Sequence, residues 1–216
     1  MRQIIIDGNY TADDWGLLMT EKKVDPPAPK TSYLSVPGRD GDLDFTEAVS
    51  GRVNYEQRAA RFAFFIGDGT PAERMALFDE IAGLIHGKSC QVVDSDDHPG
   101  YYMTGRLVMT DPVHQMAYST FVIEGSLYPW RLSSTEKTFT RSGTGSVTIQ
   151  NNGQASVSPT ITTTSAATFT YGGKTYSVTA AGTYTNLGIR IATGSSALNA
   201  TTNTGTITVK FREAVF

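Results

Sequence analysis

The residues best arranged for chemistry lie in Gly67-Asp68-Gly69-Thr70-Pro71-Ala72, a G-x-G-x-x-A run between an apolar, strand-like segment and a helix start. In a dinucleotide-binding βαβ unit such glycines let the backbone approach a pyrophosphate. An acid near the end of the next strand, here Asp94, then takes a ribose hydroxyl. Three features oppose that reading. Asp68 sets a carboxylate beside the dianion, Pro71 removes an N–H that should bind it, and no further β-α-β alternation follows to build a parallel sheet. The run reads instead as strand, turn and capped helix.

Asp40, Asp42 and Asp44 reproduce the opening of a calcium loop, but Phe45 stands where that loop needs glycine and Gly51 where it needs a bidentate glutamate. Asp94, Asp96, Asp97 and His98 have the makings of a cation site, yet they precede Pro99-Gly100 as a charged hairpin tip does. His86, His98 and His114 lack the H-x-x-x-H or H-E-x-x-H spacing of a zinc helix. No G-x-S-x-G elbow is present. A glycosidase needs only two facing carboxylates, but residues 136–216 hold just Glu136 and Glu213, so such a site would have to lie in the first half. No catalytic, cofactor or metal site is expected, and the chain does not read as an enzyme.

The elements around these residues are mostly strands. Thr70-Pro71-Ala72-Glu73 combines an N-cap, a proline at the first helical position and a capping-box glutamate, and Gly87 supplies the stop. One helix is expected over residues 71–86, with Met75, Phe78, Ile81, Ala82 and Ile85 as its buried stripe. Arg61 to Ile66 reads as a central strand, followed by Gln91 to Asp94, Tyr102 to Met109 and Ala117 to Glu124. Asp40-Gly41 suits a tight hairpin between Thr31–Val36 and Leu43–Val49. Lys22 to Lys30, with Pro26, Pro27 and Pro29, reads as a semi-extended arm unable to join a ladder.

After Trp130 the composition turns to Thr, Ser, Gly and Asn, which sets a domain boundary near Leu132 and gives domains 1–132 and 133–216. The second has strand candidates at 137–141, 146–150, 157–163, 168–171, 174–179, 184–192 and 206–211. Gly172-Gly173 is the best two-residue hairpin turn in the chain. Regularly spaced turn signals make this half a small β-sandwich.

The formal charge of −3 conceals an asymmetry. Residues 1–135 hold twelve basic and nineteen acidic side chains, or −7, and the remainder carries +4. Such a balance offers no general attraction to nucleic acid or anionic membranes. Met-Arg-Gln-Ile-Ile-Ile-Asp has too short an apolar run for a secretory signal and no segment is long enough to span a bilayer, so synthesis in a cytoplasm is expected. Cys90 is the only cysteine, which excludes an internal disulfide and reads as a small buried hydrophobe.

Val36-Pro-Gly-Arg-Asp-Gly-Asp-Leu-Asp-Phe45, then Asp96-Asp97 with Gly100-Tyr101-Tyr102, and Tyr128-Pro129-Trp130 at the boundary form an ordered pattern. Asn151-Asn152-Gly153, Pro159 and the closing Gly205–Arg212 strand extend it. Over nearly the whole chain this resembles the distal tail protein (Dit) family of long-tailed, siphovirus-type bacteriophages and prophages. The resemblance implies a mainly β chain with one helix: an N-terminal α+β ring-forming domain followed by a small galectin-like β-sandwich. It also implies a homo-hexameric ring at the virion tail tip, joining the tail tube protein to the tail-associated, fibre-like protein and to receptor-binding proteins. DNA and the tape-measure protein then pass through a central channel. An acidic lumen suits that passage, since it repels phosphate where a basic one binds it through counterion release.

Ring contacts are expected in exposed segments, which makes Arg39, Asp40, Asp42, Asp96, Asp97, Tyr101 and Tyr102 the interface candidates. The alternative function is a carbohydrate-binding adhesion module, because galectin-like sandwiches often hold sugars. Trp15, Trp130 and all histidines lie outside the second domain, however, leaving Tyr171, Tyr176, Tyr184 and Arg190 as its only sugar-facing candidates.

Overall fold

The computed structural model describes residues 2–216, with the side chains of 202 and 203 outside the description. The chain divides into two compact units, Met1–Pro129 and Trp130–Phe216. It is mainly β with one helix.

The first unit contains β1 (Ile5–Ile6), β2 (Asn9–Tyr10), β3 (Leu18–Val24), β4 (Tyr33–Leu34), β5 (Leu43–Asp44), β6 (Arg58–Ile66), α1 (Pro71–Ile85), β7 (Ser89–Val93), β8 (Tyr101–His114) and β9 (Ser119–Leu127). Seven of these strands run in the order β2-β1-β7-β8-β9-β6-β3. All of their pairings are antiparallel. Since β8 and β9 separate β6 from β7, the strand-helix-strand passage around Gly67 is not a parallel βαβ unit. β6 is an inner strand, but it lies next to the edge rather than at the centre.

Alternation along β6 buries Phe62 and Phe64 and turns Arg61, Ala63 and Phe65 to the opposite face. With Phe121, Ile123, Leu107, Ile4, Ile6, Trp15 and Leu17 they form one core, closed by Ile81 and Ile85 of α1. Burying each of the large side chains stabilises the unit by about 1.5–3 kcal/mol. The helix faces inward through Arg74, Leu77, Ile81 and Ile85, whereas Met75, expected in the stripe, is exposed. β8 and β9 approach so closely at Gly105 that a Cβ there would meet the Ser126 carbonyl and Leu127 Cα.

Two further expectations fail here. Lys22 and Lys23 do join a ladder: β3 pairs with β6 through Lys22 opposite Phe62 and Lys23 opposite Arg61. The prolines act only from Pro26 onward, at the base of an arm that prolongs the β3–β6 hairpin. Asp25 N–H donates to Ala59 O, Glu56 N–H to Ala28 O and Lys30 N–H to Asn54 O. Nor is the turn at Asp40-Gly41 tight. β4 and β5 pair over just two residues each, and Gly38 and Gly41 take φ of 81° and 74° within the long loop between them.

The second unit comprises β10 (Arg131–Ser133), β11 (Lys137–Ser142), β12 (Gly145–Asn151), β13 (Thr160–Thr163), β14 (Ala167–Tyr171), β15 (Lys174–Val178), β16 (Gly182–Tyr184), β17 (Gly194–Asn203), β18 (Thr206–Phe211) and β19 (Ala214–Val215). Two four-stranded antiparallel sheets, β11-β18-β13-β16 and β12-β17-β14-β15, enclose a second core built on Ile149, Ile161, Phe169, Leu198, Ile207 and Val209. Gly172-Gly173 makes the expected hairpin turn, with φ of 56° and 74° between Tyr171 and Lys174.

The segment 184–192 is not a strand beyond Tyr184, and the ten-residue β17 was not expected. Its Ser, Asn and Thr content hides the alternation that, among the described side chains, Leu198 and Ala200 reveal by being buried. On the outer face of the first sheet, Thr140, Thr208, Thr162 and Thr183 stand opposite one another across four strands.

Candidate assembly interface

The strand directions give the first sheet two ends. At one end lie the arm, residues 25–57, and the β7–β8 connection; at the other lie the β6–α1 turn and the tip of the β8–β9 hairpin. All seven interface candidates fall at the arm end. Arg39, Asp40 and Asp42 sit exposed in the arm loop, and Asp96 is exposed in the β7–β8 connection. Asp97 is half-exposed in an ion pair, while Tyr101 and Tyr102 are half-buried at the start of β8. Asp44 is turned to its own backbone. The Thr46 hydroxyl and amide donate to its carboxylate and hold it below the ordinary 3.8. Among the described residues, no group of three or more His, Cys, Asp or Glu side chains is placed to hold a metal.

Asp94 and Asp97 converge on Lys22, whose Nζ lies 2.9 Å from Asp94 and 2.6 Å from Asp97. Burial pulls the Lys22 ammonium down, but hydrogen bonds to Asp97 and Asp94 outweigh it and its pKa is raised. The same bond from Lys22 lowers the Asp97 carboxyl. Lys22 carried no signal in the sequence. Its partners are 72 and 75 residues away, and a lysine on a strand reads as solvated.

At the opposite end, the glycine-rich turn is closed by its own helix. Thr70 Oγ1 accepts from Glu73 N–H, and the Glu73 carboxylate accepts from the Thr70 amide at 2.7 Å and from its hydroxyl at 2.9 Å. Those bonds hold the Glu73 carboxyl below its ordinary value. The helix start therefore already carries an anion where a pyrophosphate would dock.

Arg74, one residue further on, is 2% exposed. Its guanidinium donates to Gly69 O, to Gln115 O and Met116 O at 2.8 Å each, and to Ser119 Oγ at 3.3 Å. A helical arginine is ordinarily a solvated residue, so nothing in the sequence marked this one. It fixes the tip of β8–β9 against α1. There Met116 is 86% exposed, Tyr118 stacks on Phe65 at 5.5 Å, and Val113, Thr120, Phe65 and Leu18 stand in one row across β8, β9, β6 and β3.

The remaining chemistry-bearing residues serve the fold. His86 Nδ1 accepts from Met109 N–H, and His114 lies 3.1 Å from Ser119 Oγ. Cys90 is buried, and burial first and the Asp7 carboxylate second push its thiol up to about 11, away from reactivity.

In the sandwich, Tyr171 is buried, donates to Ser196 Oγ and accepts from Ala192 N–H. Tyr176 stands opposite Phe169 and stacks on it at 5.9 Å, and Tyr184 donates to Ala180 O. All three tyrosines make these contacts within the sandwich.

This fold, a sheet curled around one helix and then a two-sheet antiparallel sandwich, has a counterpart among solved phage proteins. Among solved structures the chain matches the SPP1 Dit (gp 19.1) protein with a TM-score of 0.74 and 16% identity, over 100% of both chains. That protein is described as a paradigm of the hub adsorption apparatus in phages that infect Gram-positive bacteria. At this identity the match shows the fold. No family model matches the chain, and no curated protein does.

Proposed function

We propose that this chain is a structural hub protein of a phage tail tip, a member of the distal tail protein family and not an enzyme. Six copies form a ring between the tail tube protein and the tail-associated, fibre-like protein, and receptor-binding proteins attach around it. The first unit builds the ring, and the second is a galectin-like sandwich. The protein assembles in the host cytoplasm, and DNA passes through the ring without lasting attachment. The observation that carries this reading is the fold likeness to SPP1 Dit along the entire length of both chains.

The candidates Arg39, Asp40, Asp42, Asp96, Asp97, Tyr101 and Tyr102 all lie at one end of the first sheet, as contacts to a single neighbour require. The alternative of a glycan-binding module finds less support, because the Tyr171 and Tyr184 hydroxyls are hydrogen-bonded to Ser196 Oγ and Ala180 O and Tyr176 stacks on Phe169. Native mass spectrometry of the purified chain tests the proposal: a closed six-fold species is expected. Monomer alone at high concentration, and again in assembled tails, would sink it.

A further inference from the structure

Beside the glycine-rich turn the first unit has a cavity of about 250 Å³. Its floor is apolar, formed by Trp15, Ile66 and Leu77, and its rim carries the carboxylates of Asp68 and Glu73. Trp15 is 7% exposed, yet its indole N–H donates to no acceptor among the described residues and is not sealed inside the core. A buried tryptophan N–H ordinarily finds a partner. This one lines the cavity and is open to an acceptor from outside.

The rim is as little satisfied as the floor. Asp68 is exposed and makes no hydrogen bond or ion pair among the described residues. Both bonds that Glu73 takes from Thr70 fall on Oε2, which leaves Oε1 open. Against these carboxylates the lining has one cation, the Arg74 guanidinium, and that is turned to the carbonyls of Gly69, Gln115 and Met116. Asp13 and Asp14, in the turn leading to Trp15, add two carboxylates held by neutral donors, the Gln3 amide and the Tyr10 N–H.

Size and charge together narrow the occupant. The cavity falls below the roughly 300–1,000 Å³ of pockets that enclose a small molecule, and its carboxylates repel an anion. What suits it is one long side chain with an apolar stem and a cationic head, the stem covering apolar surface and the head lying against an indole face or a carboxylate.

We infer that this cavity seats an arginine or lysine side chain of a protein segment that docks on the first unit, its head beside Asp68 and Glu73 and its stem on Trp15. A main-chain carbonyl of that segment accepts from the indole N–H. Arginine is the better occupant, since a planar guanidinium stacks on an aromatic ring and grips a carboxylate with two donors. The site is complete within one copy, so the inference goes beyond the ring reading, and its failure would leave that reading standing.

The test uses the full chain with both tryptophans replaced by 5-fluorotryptophan and followed by fluorine NMR. The Trp15 line is assigned from the line lost in Trp130→Phe or, should that variant not fold, in Trp15→Phe. The probe is the peptide acetyl-Gly-Arg-Gly-amide, beside a citrulline peptide, which keeps the shape of arginine without its charge, and a glutamate peptide. The arginine peptide is expected to move the Trp15 line saturably with a Kd on the order of 1 mM and to leave the Trp130 line in place.

The citrulline and glutamate peptides should bind at least about fivefold more weakly, and Asp68→Asn should weaken the arginine peptide about fivefold, as expected for the loss of one charge contact near the surface. Asp68 is exposed and unpaired, so this substitution leaves the fold intact. Glu80→Gln, an equal loss of charge at an exposed position of α1, should change nothing. A Trp15 line that stays in place at about ten times that Kd would overturn the assignment. So would citrulline or glutamate peptides binding as tightly as arginine, or unchanged binding in Asp68→Asn.

Discussion

Lys22 Nζ lies 2.9 Å from both carboxylate oxygens of Asp94, with the two side chains 6% and 7% exposed. Lys22 sits on β3, at one edge of the sheet, and Asp94 directly follows β7, far along the strand order. The pair therefore clasps a sheet that has curled round its core.

Removing one partner of a buried pair leaves the other charge uncompensated, which costs more than the pair itself contributes. Lys22→Met is expected to destabilise the first unit by about 3–5 kcal/mol. Lys22→Met with Asp94→Leu should lose less than Lys22→Met alone. Urea denaturation of the two variants measures the difference, and equal losses would show that the clasp is not what holds this region.

The same cluster sets a pH window. The raised Lys22 pKa makes its share of stability complete below its ordinary value of 10.5 and lost as pH rises through the raised value. The lowered Asp97 pKa makes its share complete above 3.8 and lost as pH falls through the lowered value. Glu73, lowered from 4.5, and Cys90, raised from 9.0 to about 11, share those steps, so the urea midpoint should stay level between about pH 5 and pH 9 with a step on each side. Lys22→Met should reduce the alkaline step and Asp97→Asn the acid one. An unchanged alkaline step in Lys22→Met would assign it to another group.

Arg74→Met strands the carbonyls of Gln115, Met116 and Gly69 that its guanidinium now satisfies. A loss of about 2–3 kcal/mol is expected, and Arg74→Lys should not restore it, because an ammonium lacks the planar fork that reaches all of these acceptors. Hydrogen exchange should accelerate at amides 115–118, with protection in β6 falling only by the global loss. Uniform acceleration throughout the unit would mean that Arg74 supports the core and not the tip.

The turn from Gly67 to Ala72 should give no heat on titration with NAD, FAD or nucleoside phosphates, since Glu73 already occupies the helix start. Calorimetry yielding a micromolar Kd would reverse that view. Glu73→Gln, which removes the anion but keeps the cap, should still show no binding, because Asp68 and Pro71 remain.

What could be read beforehand was local. The capped helix and the Gly172-Gly173 hairpin are set by residues within a few positions of each other, and both stand where the sequence puts them. β17 escaped because its ten residues are rich in Ser, Asn and Thr, so the hydrophobic alternation that signals a strand is faint in the sequence. β3 escaped because prolines from Pro26 onward masked a ladder that stops at Val24.

The interface candidates were drawn from turn signals, and these mark loops at the arm end. The tip end is built by Arg74, which reaches across 41 and 42 residues to carbonyls that no side-chain pattern can announce. Met116 and Val49 stand out in the structure through exposure alone, which depends on everything that does not pack on them.

The two hydrophobic cores share no residue, one being drawn from positions 4–123 and 127 and the other from 149–211. Heat should therefore melt the chain in two separable events. At the level of the gene, the sandwich is a cassette: a swap at the Pro129–Trp130 join exchanges one complete hydrophobic nucleus for another without cutting either. On the hub reading proposed above, such an exchange would remodel one unit while the other keeps its own core unchanged.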